Sequence, residues 1–199
     1  TNKTNYQITE RFYPKKEPYG WKNYPYDYYN IWVKNSGKEP YLEEATLEIL
    51  TGEYDLIIFK HCFPVSRIQP DSGTPDIDSE IRSLENYKLQ YDALKEKMHQ
   101  FPDNRFIIWT PAVNTQKLMT EDEAIRTREF RDWVINEWDV KGDNIFVWDF
   151  YSYETEVGLY LAEKNAVSSE NSHPNVEFAK GVAPLFGQFI IDVFESRVE

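Results

Sequence analysis

Three short apolar runs constrain this chain most: Tyr54 to Cys62, centred on Leu56-Ile57-Ile58-Phe59; Arg105-Phe106-Ile107-Ile108-Trp109; and Asn144 to Phe150. Runs that are apolar on both faces need cover on both faces, which is the setting of a buried parallel strand. Helical period lies between them. Ile81, Leu84, Tyr87, Tyr91, Leu94 and Met98 recur at steps of three and four, and residues 121 to 138 put Ile125, Phe130, Trp133, Val134 and Trp138 on a second apolar side. Val176 to Val193 gives a last helix, with Phe178, Val182, Phe186, Phe189, Ile190 and Val193 inward and Pro184 as a point of kinking. A short helix over Tyr41 to Leu50, closed by Gly52, is expected before the first strand. Strands alternating with helices indicate an α/β sandwich with a mostly parallel sheet.

Residues 1–40 differ from the remainder. They carry seven of the fourteen Tyr, Trp21 and Trp32, and Pro14, Pro18, Pro25 and Pro40, without a sustained helical period. An aromatic-rich loop region packed on an α/β domain of residues 41–199 is expected, with at most one short strand, Tyr6 to Tyr13. With 22 Lys+Arg against 34 Asp+Glu the net charge is -12, which repels phosphate backbones, so nucleic acid is excluded as a favoured partner. No stretch approaches the roughly 20 apolar residues of a membrane span. A single cysteine, Cys62, rules out an intramolecular disulfide. It fits the cytoplasm and export alike, with export slightly favoured. The opening Thr1-Asn2-Lys3 lacks an initiator Met and an apolar leader, so a segment upstream is expected.

Ligands of an open parallel sheet sit beyond the carboxyl ends of its strands, which directs the search to the loops starting at His61, Thr110 and Asp149. With eight Gly and neither a GxGxxG nor a GxxxxGK[ST] pattern, no phosphate cradle is present and no nucleotide cofactor is expected. The segment Ser168-Ser169-Glu170-Asn171-Ser172-His173-Pro174-Asn175, between the last strand and the last helix, is the most informative. A tight turn there would aim Glu170 at the His173 imidazole, fixing its tautomer for general-base work. Pro174 restrains His173 to an extended conformation, and Asn175 suits the N-cap of the following helix. On spacing alone the bland alternative, a surface loop capping a helix, stays open.

The pattern Glu170-x-x-His173-Pro174 resembles the Asp-x-x-His-Pro block of the SGNH (GDSL-like) hydrolases. The strand Tyr54 to Phe59, the helix through Asn86-Tyr87 and the strand through Trp109-Thr110-Pro111 are similar to that family's core order, over roughly Tyr41 to Val193. The resemblance implies a flavodoxin-like three-layer α/β/α sandwich and an ester hydrolase, acting on acyl or acetyl groups, including those on carbohydrates. In that role His173 would be the base and Glu170 its orienting acid. Three departures stand beside it. No Gly-x-Ser nucleophile block precedes Tyr54, so the Ser is expected upstream of this chain. His61-Cys62-Phe63-Pro64 replaces the family's Gly-x-Asn, leaving Lys60, His61 or Cys62 as oxyanion or pocket candidates. The acid is Glu instead of Asp.

Other readings remain. Cys62 as nucleophile competes with Cys62 as a small core residue, and Ser66 and Ser72 with ordinary turn residues. His61, His99 and His173 are far apart, and Asp71, Asp76 and Asp78 lack calcium-loop spacing, so no metal is expected. Trp21, Tyr24, Tyr26 and Tyr28 could stack on sugar rings or pack down as a lid. The alternative to the hydrolase is therefore a non-catalytic carbohydrate-binding or interaction module on the same fold. A sheet without its first strand would also leave an edge for an upstream segment or a second chain to complete.

Overall fold

The structure, a computed structural model, describes residues 6–197. Its element order is α1 (Pro25–Tyr28), extended by a π-helical turn Tyr29–Lys34, then α2 (Leu47–Glu53), β1 (Leu56–Phe59), α3 (Leu84–Met98), β2 (Arg105–Trp109) and α4 (Glu121–Trp133), extended by a second π-helical turn Val134–Trp138. There follow β3 (Ile145–Trp148), α5 (Phe150–Thr155), the strands β4 (Ala166–Ser168) and β5 (Asn171–Pro174), and α6 (Val176–Phe194).

The three apolar runs form one parallel sheet in the order β1-β2-β3. Their alternation divides the interior in two. Ile57, Phe59, Phe106, Ile108 and Ile145 meet Tyr87, Tyr91, Leu94 and Met98 of α3 and Phe130, Val134 and Trp138 on and after α4. On the other face Ile107, Trp109, Phe146 and Trp148 meet Phe178, Val182, Phe186 and Phe189 of α6. Side-chain oxygens start the long helices. Ser83 accepts from the Asn86 amide, Thr120 forms a capping box with Glu123, and Asn175 accepts from the Phe178 amide. The last helix runs unbroken through Pro184.

Cover over the α6 face is uneven. α6 packs on β2 and β3, whereas Ile58, on the same face of β1 as Leu56, stays 40% exposed and Leu185 of α6 49% exposed. Among the described residues no strand pairs with the outer edge of β1. No helix there is long and apolar enough to cross a membrane.

The N-terminal region departs from expectation. Tyr6 to Tyr13 forms no strand, and side chains tie it down instead: Tyr6 meets Phe194 and Glu195, Arg11 reaches Tyr54, and Tyr13 donates to the Ala45 carbonyl. Pro25 to Lys34 is helical because Tyr28, Ile31 and Trp32, spaced three and four apart, are buried against Phe59 and the rest of that core. The short helix expected at Tyr41 starts only at Leu47, since Tyr41 and Glu44 close a bridged turn with positive φ at Leu42 and Glu43.

Candidate functional site

The stretch between α5 and α6, expected as a loop, contains an antiparallel hairpin of β4 and β5 with Ser169 and Glu170 at its turn. Polar side chains hold it. Asn175 donates from Nδ2 to the Lys164 and Ala166 carbonyls. Ser172 is buried, accepts from the Thr115 amide at 3.0 Å and donates to Asn114 Oδ1 at 3.2 Å. Asn114 donates to the Phe63 carbonyl and to Ser66 Oγ, while Thr115 Oγ1 donates to the Ser169 carbonyl. The loops after β1 and β2 and the hairpin are thus one hydrogen-bonded unit in a dry setting, where fully satisfied polar groups fix geometry.

Strand alternation turns His173 outward from buried Ser172. Its ring stands edge-on to Phe63, in the loop that follows β1, at 5.0 Å between centroids. Asn171 Oδ1 lies 2.7 Å from Nδ1. Glu170 is not the ring's partner: its carboxylate takes a hydrogen bond from Lys117 and is 68% exposed. The expected tight turn ends before His173, and three positions along extended chain put two side chains on opposite faces, whereas Asn171, two positions away, shares the imidazole's face.

Of the oxyanion and pocket candidates, Lys60 is exposed, with Nζ 6.0 Å from the Trp109 ring centroid. His61 is buried between Tyr28, Phe59 and Tyr91, and neither ring nitrogen has a well-formed hydrogen bond, although the Asn23 backbone lies near. Burial pushes this imidazole down to about 3, helped by the Lys60 charge and opposed by Asn23, so the ring is neutral and closed off from any substrate. Cys62 is a half-buried free thiol. Ser66 is buried and donates to the Phe63 carbonyl, and Ser72 is engaged with Glu85, so each hydroxyl serves the fold.

Two carboxylates near the strand ends went unrecognised in the sequence. Burial pushes Asp149, after β3, upward, but forked hydrogen bonds from Arg131, with Ser152 and Thr110, outweigh it and hold the carboxyl below its usual range. Glu154 of α5 is fully buried, with Oε2 accepting from the Val113 amide at 2.8 Å and Oε1 unpartnered. Burial pushes it up to about 8, against the pull of that amide and of Lys60. It therefore stays largely protonated at neutral pH.

The aromatic segment packs down more than it reaches out. Trp21 and Tyr28 are buried, the Tyr28 hydroxyl meeting the Tyr13 and Lys60 carbonyls, so neither offers a face to a sugar. Tyr24, with Arg82 5.3 Å over its ring, and Tyr26, beside Tyr29, are half-buried. His99 pairs with Asp143 at 2.9 Å, Asp78 with Lys34, and among the described residues no group of three metal-ligating side chains forms. An open groove of about 480 Å³ lies at the amino ends of the strands, lined by Asp103, Arg105, Asp143, Asn144 and Ser196. Within it Asn144 donates to three carbonyls, Arg105 to Ser196 Oγ, and Asp143 pairs with His99.

No family model, curated protein or solved structure matches this chain.

Proposed function

We propose that the chain is the histidine-bearing part of an SGNH-like ester hydrolase with a flavodoxin-like three-layer α/β/α architecture, whose nucleophilic Ser comes from a segment outside these 199 residues. The observation that carries the reading is His173 itself. It stands exposed against Phe63 of the loop after β1, with Nδ1 engaged by Asn171 and Nε2 making no hydrogen bond among the described residues. Among the described residues no strand pairs with the outer edge of β1, and Ile58 is 40% exposed, which suits one more strand on that side.

In this mechanism Nε2 takes the proton of the Ser hydroxyl as its oxygen attacks the ester carbonyl, and returns it to the leaving alkoxide. Water then repeats the cycle on the acyl-enzyme. Lys60, exposed at the end of β1, supplies positive charge near the developing oxyanion, a task closed to buried His61. The substrate is a small ester or an acylated carbohydrate, the latter supported only by the half-buried rings of Tyr24 and Tyr26. The burial of Trp21 and Tyr28 weakens the alternative of a carbohydrate-binding module.

The test is hydrolysis of p-nitrophenyl acetate by the protein at its natural length. His173→Ala, at an exposed position, is expected to lower turnover by about 10²-fold or more, the usual worth of a positioned base. Equal turnover by the variant, or no turnover by either protein, overturns the proposal.

A further inference from the structure

We infer that Asn171 is the positioning residue of His173, holding the neutral imidazole as the Nδ1–H tautomer and leaving the Nε2 lone pair outward. The assignment follows from two contacts to one atom. Asn171 Oδ1 lies 2.7 Å from His173 Nδ1 and 3.1 Å from the His173 backbone nitrogen. A backbone N–H can only donate, so the Asn171 atom facing it is the amide oxygen and the flipped amide is excluded. That oxygen has no hydrogen to give, so the Nδ1 it also meets is the protonated nitrogen of the neutral ring. The base nitrogen is then Nε2.

The surroundings keep this arrangement in place. Asn171 and His173 share one face of β5, while Ser172 between them is anchored to Asn114 and Thr115. Glu170, the acid expected for this task, is drawn off by Lys117. An amide oxygen orients the ring as a carboxylate does, but offers an imidazolium a dipole in place of a full charge. The role of Asn171 in catalysis rests on the hydrolase reading; the tautomer does not.

The experiment is ¹⁵N NMR of the His173 ring nitrogens at a pH where the ring is neutral, on the natural-length protein and on Asn171→Ala and Asn171→Asp. The wild type is expected to show a protonated Nδ1 and an unprotonated Nε2. Asn171→Ala is expected to move the tautomer ratio toward Nε2–H by about fivefold, the worth of one ordinary hydrogen bond, and Asn171→Asp, which keeps the acceptor, to retain the wild-type ratio. A wild-type Nε2–H ring, or a ratio unmoved in Asn171→Ala, overturns the assignment. Ester kinetics separate the two readings. The Nδ1–H tautomer in a protein that turns over no ester refutes the hydrolase and leaves the tautomer standing. In an active protein, Asn171→Ala is expected to lower kcat with KM unchanged and Asn171→Asp to restore it; full kcat in Asn171→Ala overturns the positioning role.

Discussion

Replacing His61 with Leu separates a buried neutral imidazole from one that solvent and substrate can reach. His61 is 2% exposed and flanked by Tyr28, Phe59 and Tyr91, and burial pushes its ring from the ordinary 6.5 down to about 3. Below 6.5 the unfolded chain takes up a proton that the folded chain refuses until about pH 3, so stability is fully present above 6.5 and drains away as pH falls. Each unit in that window costs about 1.4 kcal/mol, and going from about pH 7 to about pH 4.5 therefore removes about 2.5 kcal/mol through this residue alone. The Leu variant lacks the titration. Its stability relative to wild type, measured by urea unfolding at both pH values, is expected to improve by about 2.5 kcal/mol at the lower one. Packing changes at the site, such as loss of the edge contact to Tyr28, shift both measurements equally and cancel in the difference. The same relative stability at both pH values would refute the reasoning, and would restore His61 as a candidate for contact with substrate.

Glu154 gives the opposite slope: with its carboxyl pushed up to about 8 from 4.5, the unfolded state ionises first and stability falls by on the order of 4 kcal/mol as pH rises across that window. Glu154→Gln, which keeps an oxygen for the Val113 amide, is expected to abolish that loss in urea unfolding at about pH 4.5 and 8. Asn114→Ala strands buried polar groups of Ser172 and Ser66 and is expected to cost about 2–4 kcal/mol by thermal or urea unfolding. Glu170→Ala removes only an exposed ion pair with Lys117, so a change under about 1 kcal/mol is expected, with ester turnover retained.

The sheet was legible because burial on both faces writes itself as uninterrupted apolar sequence. β2 occupies Arg105–Trp109 as expected, and β1 and β3 fall inside the runs read for them. Periodicity placed α3, α4 and α6 in the same way, except that Ile81, expected on the apolar face of α3, lies before its N-cap and is 57% exposed. The helical turns over Pro25–Lys34 were masked by Pro and Tyr, although Tyr28, Ile31 and Trp32 carry a helical spacing. The β4–β5 hairpin left no hydrophobic trace, since its strands span three and four residues and hydrogen bonds hold it instead of apolar contact. Glu170 was expected to face His173 from a tight turn; in the strand that forms instead, the period of two puts Asn171 on the imidazole's side. Glu154 and Asn114 belong to residue types that are mostly exposed, and their burial depends on partners far off in sequence, Val113 and Ser172.

The central claim, a His173-dependent serine nucleophile contributed from outside these residues, is tested most directly by fluorophosphonate labelling of the natural-length protein, with the labelled peptide located by mass spectrometry. The account expects one labelled Ser outside the 199-residue sequence, with labelling lost in His173→Ala. No labelling of the wild type, or labelling that persists unchanged without His173, would contradict it.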